Sequence, residues 1–443
     1  LSAVSLLPEL QTLKLNFCEE LKDLNGLTDL PKLQDVTVTY CNQLVSLAGL
    51  EQIGSLQSLK ILRCKYLSDI KAVASLRQLQ VLSVGSSEVL SDLTPLTGLP
   101  QIREIVFDDC AGISDLHGVV GLPALSNLRL SGCQRLASLE GLKDAPVLEK
   151  LAINYCGSLQ HIQAISTLKH LQELHIISCH QLSDVQAISE LPVLRKLDLS
   201  GNSELRVLSG LCGLPLLQSI DLSSCRELLD IQAISGLQSL QVLDLRYCRS
   251  LRNIQVISEL QNLQTLELSS CRELQDIRVI SGLQNLQRLK LGHNDNLQNL
   301  NDLKDLPALR HLDVSRCDGL SDIGGLSQMP DLESLDLEYC TQITDLVPLV
   351  SLQRLQTLSL NSCRQVGDIS PLEALPQLRE LFITWCDKLT DLTPLLRMDS
   401  LEALGMDYYY SSREKFIGLK EVYAKFSVIE RQYGRTVRRV AKQ

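Results

Sequence analysis

The sequence predicts a tandem-repeat solenoid in which each coil is one short strand and one compact return. About 18 strands would lie parallel in one sheet, and a helix would close the C-terminus. Three observations predict this. Fourteen of the 15 cysteines (18, 41, 64, 110, 133, 156, 179, 225, 248, 271, 317, 340, 363 and 386) are separated by 23 residues or twice 23. Apolar residues recur at fixed offsets around each of them, and all 14 prolines fall into two columns of the same period. The skipped places hold Ser87, Asn202 and Asn294, and Tyr409 stands one period after Cys386. Eighteen places therefore keep register across 391 residues.

The strand comes from the segment before each place. Leu240, Leu243, Leu245, Cys248, Leu251, Ile254, Ile257 and Leu260 show the full pattern. Leu243 and Leu245 have period two, which turns alternate side chains inward on a strand. The remaining spacing of three suits tight turns or a 3₁₀ turn better than several turns of α-helix. No coil can bury its own aliphatic row, so neighbours must stack into a continuous core. Composition agrees: hydrophobic residues are 44% but aromatics only 4%. Ten prolines stand ten residues before the place, ahead of the strand, as at Pro192 and Pro215. The other four (Pro95, Pro348, Pro371, Pro394) stand eight after it, on the return. None would delete a strand donor. Aspartate stands five after the place in eleven of seventeen coils, as at Asp230, Asp276 and Asp322, where a short carboxylate can accept turn N–H groups.

The ends break the pattern. Leu1 already lies inside a repeat, so we expect further chain to precede it. Residues 411–443 read as an amphipathic basic helix, with Phe416, Leu419, Tyr423, Phe426, Ile429, Tyr433, Val437 and Val440 at helical spacing. It is expected to cap the solenoid of 1–410, to dock a partner through Arg435, Arg438, Arg439 and Lys442, or to do both.

Repeats of this form are identified as leucine-rich repeats. The ending D-I/L-x-P-L at 368–372 and 391–395 resembles the short internalin and SDS22-like classes, with one extra residue after the cysteine. The form L-x-L-x-x-C-x-x-L-x-D-I-x-x-I-S is similar to protozoan, trypanosomatid-type repeats. The resemblance implies an α/β-type solenoid curved as a right-handed superhelix. Its parallel sheet would lie on the concave side and its turns or 3₁₀ segments on the convex side. It also implies that the cysteine place is the family's asparagine place, kept at Asn202 and Asn294, and that flagellar, cytoskeletal or signalling assemblies are the natural setting.

One cysteine per coil is expected to be a buried, reduced column rather than disulfides or a metal site. That points to a cytoplasmic location. Cys212, off the grid, is expected to be another buried small residue. No phosphate loop, zinc helix or nucleophile elbow occurs, so no enzyme, cofactor or metal is expected. A net charge of −10 disfavours a general nucleic-acid binder, and no apolar run is long enough for a membrane span.

Function is expected on the strand face. The outward residue four before each place gives Lys14, Lys60 and Arg129, and later Asp198, Asp221, Asp244, Glu267, Lys290, Asp313 and Asp336. Like charges in such a row repel, so the carboxylates read as an acidic stripe for a protein partner with a basic surface. The residue just before the place supplies rings, among them Phe17, Tyr40, Tyr155, Tyr247, Tyr339, Trp385 and Tyr408. With Phe382, the last two form a second candidate site. Two functions stay open: a protein-interaction scaffold, or the recognition arm of a larger enzyme or sensor such as a ubiquitin ligase receptor, a signalling ATPase or a cyclase regulator.

Overall fold

The structure, a computed structural model, describes residues 1–143, 145–274, 276–406, 417–418, 421–422, 425–427 and 440–441. Two compact units divide the chain, Leu1–Cys225 and Arg226–Gln443.

In the first unit ten strands run in parallel: β1 Thr12–Asn16, β2 Asp35–Thr39, β3 Ser58–Leu62, β4 Val81–Gly85, β5 Glu104–Asp108, β6 Asn127–Ser131, β7 Lys150–Asn154, β8 Glu173–Ile177, β9 Lys196–Asp198 and β10 Ser219–Asp221. Each pairs with the next in sequence order, and partners are 23 residues apart, as in Leu13 with Val36 and Leu197 with Ile220. The second unit repeats the arrangement with eight strands: β11 Val242–Asp244, β12 Thr265–Glu267, β13 Arg288–Lys290, β14 His311–Asp313, β15 Ser334–Asp336, β16 Thr357–Ser359, β17 Glu380–Phe382 and β18 Ala403–Gly405. Equal coils leave no other register that keeps every leucine inside.

Most returns hold a 3₁₀ segment, as the spacing of three predicts; those after β1 and β13 hold none among the described residues. Thr94–Leu96, Val347–Ser351, Ser370–Ala374 and Thr393–Arg397 each carry their proline at the first or second position, where its missing N–H is not needed. The aspartate column starts these turns. Asp92 Oδ1 accepts the Thr94 N–H at 2.9 Å, Asp230 that of Gln232 at 3.0 Å and Asp322 that of Gly324 at 2.8 Å. The core is aliphatic, and Phe107 is the only ring buried in it among the described residues. At the first coil, by contrast, Leu6 and Leu7 are exposed and Leu13 and Leu15 are half-buried.

Every cysteine is a free thiol, and 13 of them are buried. In at least ten coils among the described residues the thiol donates to a carbonyl of the preceding coil 26 residues back, as Cys225 does to Leu199 at 3.3 Å and Cys340 to Val314 at 3.1 Å. Asn202 shows what the thiol replaces. Its Nδ2 donates to the Ile176 carbonyl, also 26 back, at 2.6 Å, while its Oδ1 accepts the Cys179 N–H at 2.9 Å. Burial pushes the thiols of Cys110, Cys225, Cys271 and Cys317 up to about 12. Cys212 corrects the expectation: it is exposed. It ends a three-residue turn, Ser209–Leu211, and its side chain leaves the stack. A thiol reagent should therefore label Cys212 at once and half-buried Cys18 more slowly, and the other 13 only after unfolding. Counting adducts by mass spectrometry checks this, and rapid labelling of Cys225 or Cys271 would refute it.

The C-terminal helix is not what the described residues show. Glu421, Val422 and Lys425 are helical, but Phe426–Ser427 (β19) pairs antiparallel with Val440–Ala441 (β20), which one continuous helix does not allow. Lys425 Nζ donates to the Leu396 carbonyl at 2.9 Å, so this segment lies against the last coil. Tyr408, Arg435, Arg438, Arg439 and Lys442 lie outside the described residues.

Candidate interaction face

Alternation on each strand buries the two leucines and leaves the residue between them on the open face. In the first unit that residue is Lys14 in β1, Lys60 in β3, Arg129 in β6, His175 in β8, Asp198 in β9 and Asp221 in β10. In the second it is Asp244 in β11, Glu267 in β12, Lys290 in β13, Asp313 in β14, Asp336 in β15 and Phe382 in β17. The candidate acidic residues thus fall into two groups, and register places Asp198 opposite Asp221, Asp244 opposite Glu267, and Asp313 opposite Asp336.

Their carboxylates are less free than a charge count suggests. Five of the aspartates accept the backbone N–H two residues on: Ser200, Ser223, Arg246, Ser315 and Glu338, at 2.8 to 3.0 Å. Each bond closes the turn that ends its strand, a structural reason for aspartate that charge repulsion does not reveal. Asp244 and Glu267 also meet cations. Arg246 grips the nearly buried Asp244, Nη2 to Oδ2 at 2.6 Å, and Lys290 Nζ sits 2.9 Å from Glu267 Oε1.

Asp198 and Asp336 differ in kind. Burial pushes the Asp198 carboxyl up, but bonds from His175 and Ser200 outweigh it and leave it below its ordinary value. His175 Nδ1 lies 3.5 Å from its Oδ2. Asp336 has no such cation among the described residues. Burial, then the charges of Asp313 and Glu338, raise it to about 6 against the Glu338 N–H that lowers it.

The ring column ends the strands in an unusual backbone. Phe17, Tyr40, Tyr155, Tyr247, Tyr339 and Trp385 all have φ between 55° and 61°, in the left-handed region. The residues at the same place in the other coils are left-handed too, with φ from 53° to 74°, including Arg63, Ser86, Ser178, His293 and Arg316, with Gly132 and Gly201 completing the set. No β-branched residue occurs there, as left-handed geometry demands. The sequence shows this only as missing Val, Ile and Thr. Tyr155 is 58% exposed, Trp385 51% and Tyr247 47%. Phe382 is half-buried, three residues before Trp385. Two contacts escape sequence reasoning because they need side-chain paths: Phe17 stacks on Tyr40, centroids 4.7 Å apart, and Arg316 lies over the Tyr339 ring at 4.3 Å.

The family model described as "Plant disease resistance protein RPS2-like, leucine-rich repeats" matches residues 141–272 and 236–364, together just over half of the 443 residues. The chain belongs to the leucine-rich repeat family. A second model, "Leucine Rich repeats (2 copies)", matches residues 353–397 of this leucine-rich repeat chain. Among solved structures, a leucine-rich repeat protein of Leptospira interrogans is 20% identical, with 91% of each chain covered and a TM-score of 0.57. The TLR13–ssRNA13 complex is also 20% identical, covering 88% of this chain and 69% of the other, TM-score 0.52. An internalin of Listeria monocytogenes is 18% identical over 85% and 87% of the two chains, TM-score 0.40. These likenesses concern the fold. A search of curated proteins finds no match. Among the described residues no group of three or more His, Cys, Asp or Glu is placed to hold a metal, and no helix is long and apolar enough to cross a membrane.

Proposed function

We propose that this leucine-rich repeat chain is a non-catalytic scaffold whose strand faces bind a protein partner with a basic surface. The proposed contacts are Tyr155, Asp198 and Asp221 in the first unit. In the second they are Asp244, Glu267, Asp313, Asp336, Tyr247, Tyr339, Phe382 and Trp385. The proposed setting is a cytoplasmic assembly, cytoskeletal, flagellar or signalling.

The observation that carries the reading is the exposed rings at left-handed positions. A side chain other than glycine or asparagine there costs on the order of 1 kcal/mol. Tyr155 recovers little of it from the core, since more than half of the residue is exposed. Tyrosine at such a place is costly for folding and suited to an interface, where it supplies large rigid contact area.

Tyr155→Asn should leave the melting temperature unchanged or slightly higher, because asparagine tolerates the left-handed region. It should weaken the captured partner about fivefold or more, the usual scale for an interface tyrosine. Asp198→Asn with Asp221→Asn keeps both turn acceptors while removing two charges, and should slow association at low salt. Affinity capture with mass spectrometry, wild type against variants, checks both. An identical partner set at identical affinity would remove the strand face from consideration.

A further inference from the structure

Resting on the protein-binding reading, we propose that the corner formed by β1, β2 and β3 binds a short acidic segment of a partner that also carries an aromatic or aliphatic side chain. Here the strand face has the opposite sign to the carboxylate groups of β9 and β10. Lys14 and Lys60 are exposed on β1 and β3, flanking Thr37 in register, and Arg63 is exposed just past β3. None of these three cations has an ion pair among the described residues, whereas Lys32 pairs with Glu9 and Lys65 with Glu88. Asp35, the one carboxylate on the face of these strands, begins β2 at the end away from the rings.

The rings adjoin these cations. Phe17, Tyr40 and Arg63 follow the ends of successive strands at φ 55°, 57° and 56°. Phe17 and Tyr40 stack with their planes 6° apart, and the Arg63 guanidinium lies 5.1 Å from the Tyr40 centroid. Leu62, half-buried at the end of β3, lies beside Gly85 of the next strand. The result is a three-layer pile of two rings and a cation. Phe17, 68% exposed, offers its outer face, and Leu62 supplies an apolar floor beside the two lysines. Carboxylates answer the cations, and one apolar side chain answers the ring and the floor.

A peptide segment fits better than a nucleic-acid strand. The basic stretch spans three strands, about 10 Å across, where single-stranded nucleic acid needs a groove for several nucleotides. The next strands bring uncharged Ser83 and Val106 between them, and on β5 the carboxylates Glu104 and Asp108, the latter paired with Arg129 at 3.4 Å, so no unbroken row of cations continues along the face for a polyanion. The rings also cover each other, and do not offer successive faces to successive bases.

Fluorescence anisotropy with a short fluorescein-labelled peptide of alternating glutamate and tyrosine tests this, with the glutamine peptide as its uncharged counterpart. The full chain should bind the glutamate peptide, and the glutamine peptide about tenfold more weakly. Lys14→Glu with Lys60→Glu should lose about tenfold or more. Phe17→Ser with Arg63→Ser should lose about fivefold. Serine already stands at the equivalent places 86 and 178, so the second pair keeps the backbone. Equal affinity for both peptides, unchanged affinity in both double variants, or tighter binding of oligouridylate would each overturn the proposal. Tyr155→Asn should not alter this binding, so loss of the corner and loss of the strand-face reading are told apart.

Discussion

Gly118→Ala is expected to destabilise the first unit by about 3 kcal/mol, the upper range for adding a methyl where there is no room. Gly118 sits in the 3₁₀ turn His117–Val119, and a Cβ there would stand 1.8 Å from the Leu93 carbonyl oxygen of the coil before. The obstacle is backbone, so no side chain can swing away, and the coils must part by more than an ångström. The contact recurs one coil on, where a Cβ at Gly141 would meet the Leu116 oxygen at 1.9 Å. In a stack that is stable only through its neighbours, parting one seam weakens both sides of it. Gly54→Ala is the control: nothing lies within 4 Å of its Cβ position, and the change should be neutral or slightly stabilising. Guanidinium unfolding followed by circular dichroism separates the two. Equal midpoints would show that the coils tolerate the methyl.

Asp336→Asn is expected to stabilise the second unit by about 2 kcal/mol near pH 7.5, and to do almost nothing near pH 4. The carboxyl rises from 3.8 unfolded to about 6 folded. Below the lower value both states hold the proton and the group is silent. Between the two the folded state keeps a proton that the unfolded state has lost, so stability falls as pH rises. Above about 6 the penalty is complete. Asparagine removes it while its Oδ1 still accepts the Glu338 N–H, the 2.9 Å bond that ends β15. Midpoints measured across this range should converge at the acid end, and a gain independent of pH would refute the account.

Much of this molecule is legible because its contacts are local in an unusual sense: nearly every strand partner is 23 residues away, so one coil's pattern repeats the next coil's environment. Leu243, Leu245 and Cys248 could be placed inside, and Pro348 and Asp322 on the return, before any coordinates. The candidate site was legible only as columns. Lys14, Asp198 and Tyr155 could be assigned to the open face, but not the state of their side chains.

The 23-residue period by itself determined the core, the strand order, the register and the place of the 3₁₀ returns, because stacking identical coils admits one arrangement that hides every aliphatic row. Only the tertiary structure decided the rest. Arg246 reaches Asp244, Lys290 reaches Glu267, and the rings stand in left-handed backbone. Arg63 completes the Phe17–Tyr40 pile, and Cys212 leaves the core. These depend on where long side chains go once they clear the stack, and a pattern of buried positions carries no information about surfaces it does not need to fill.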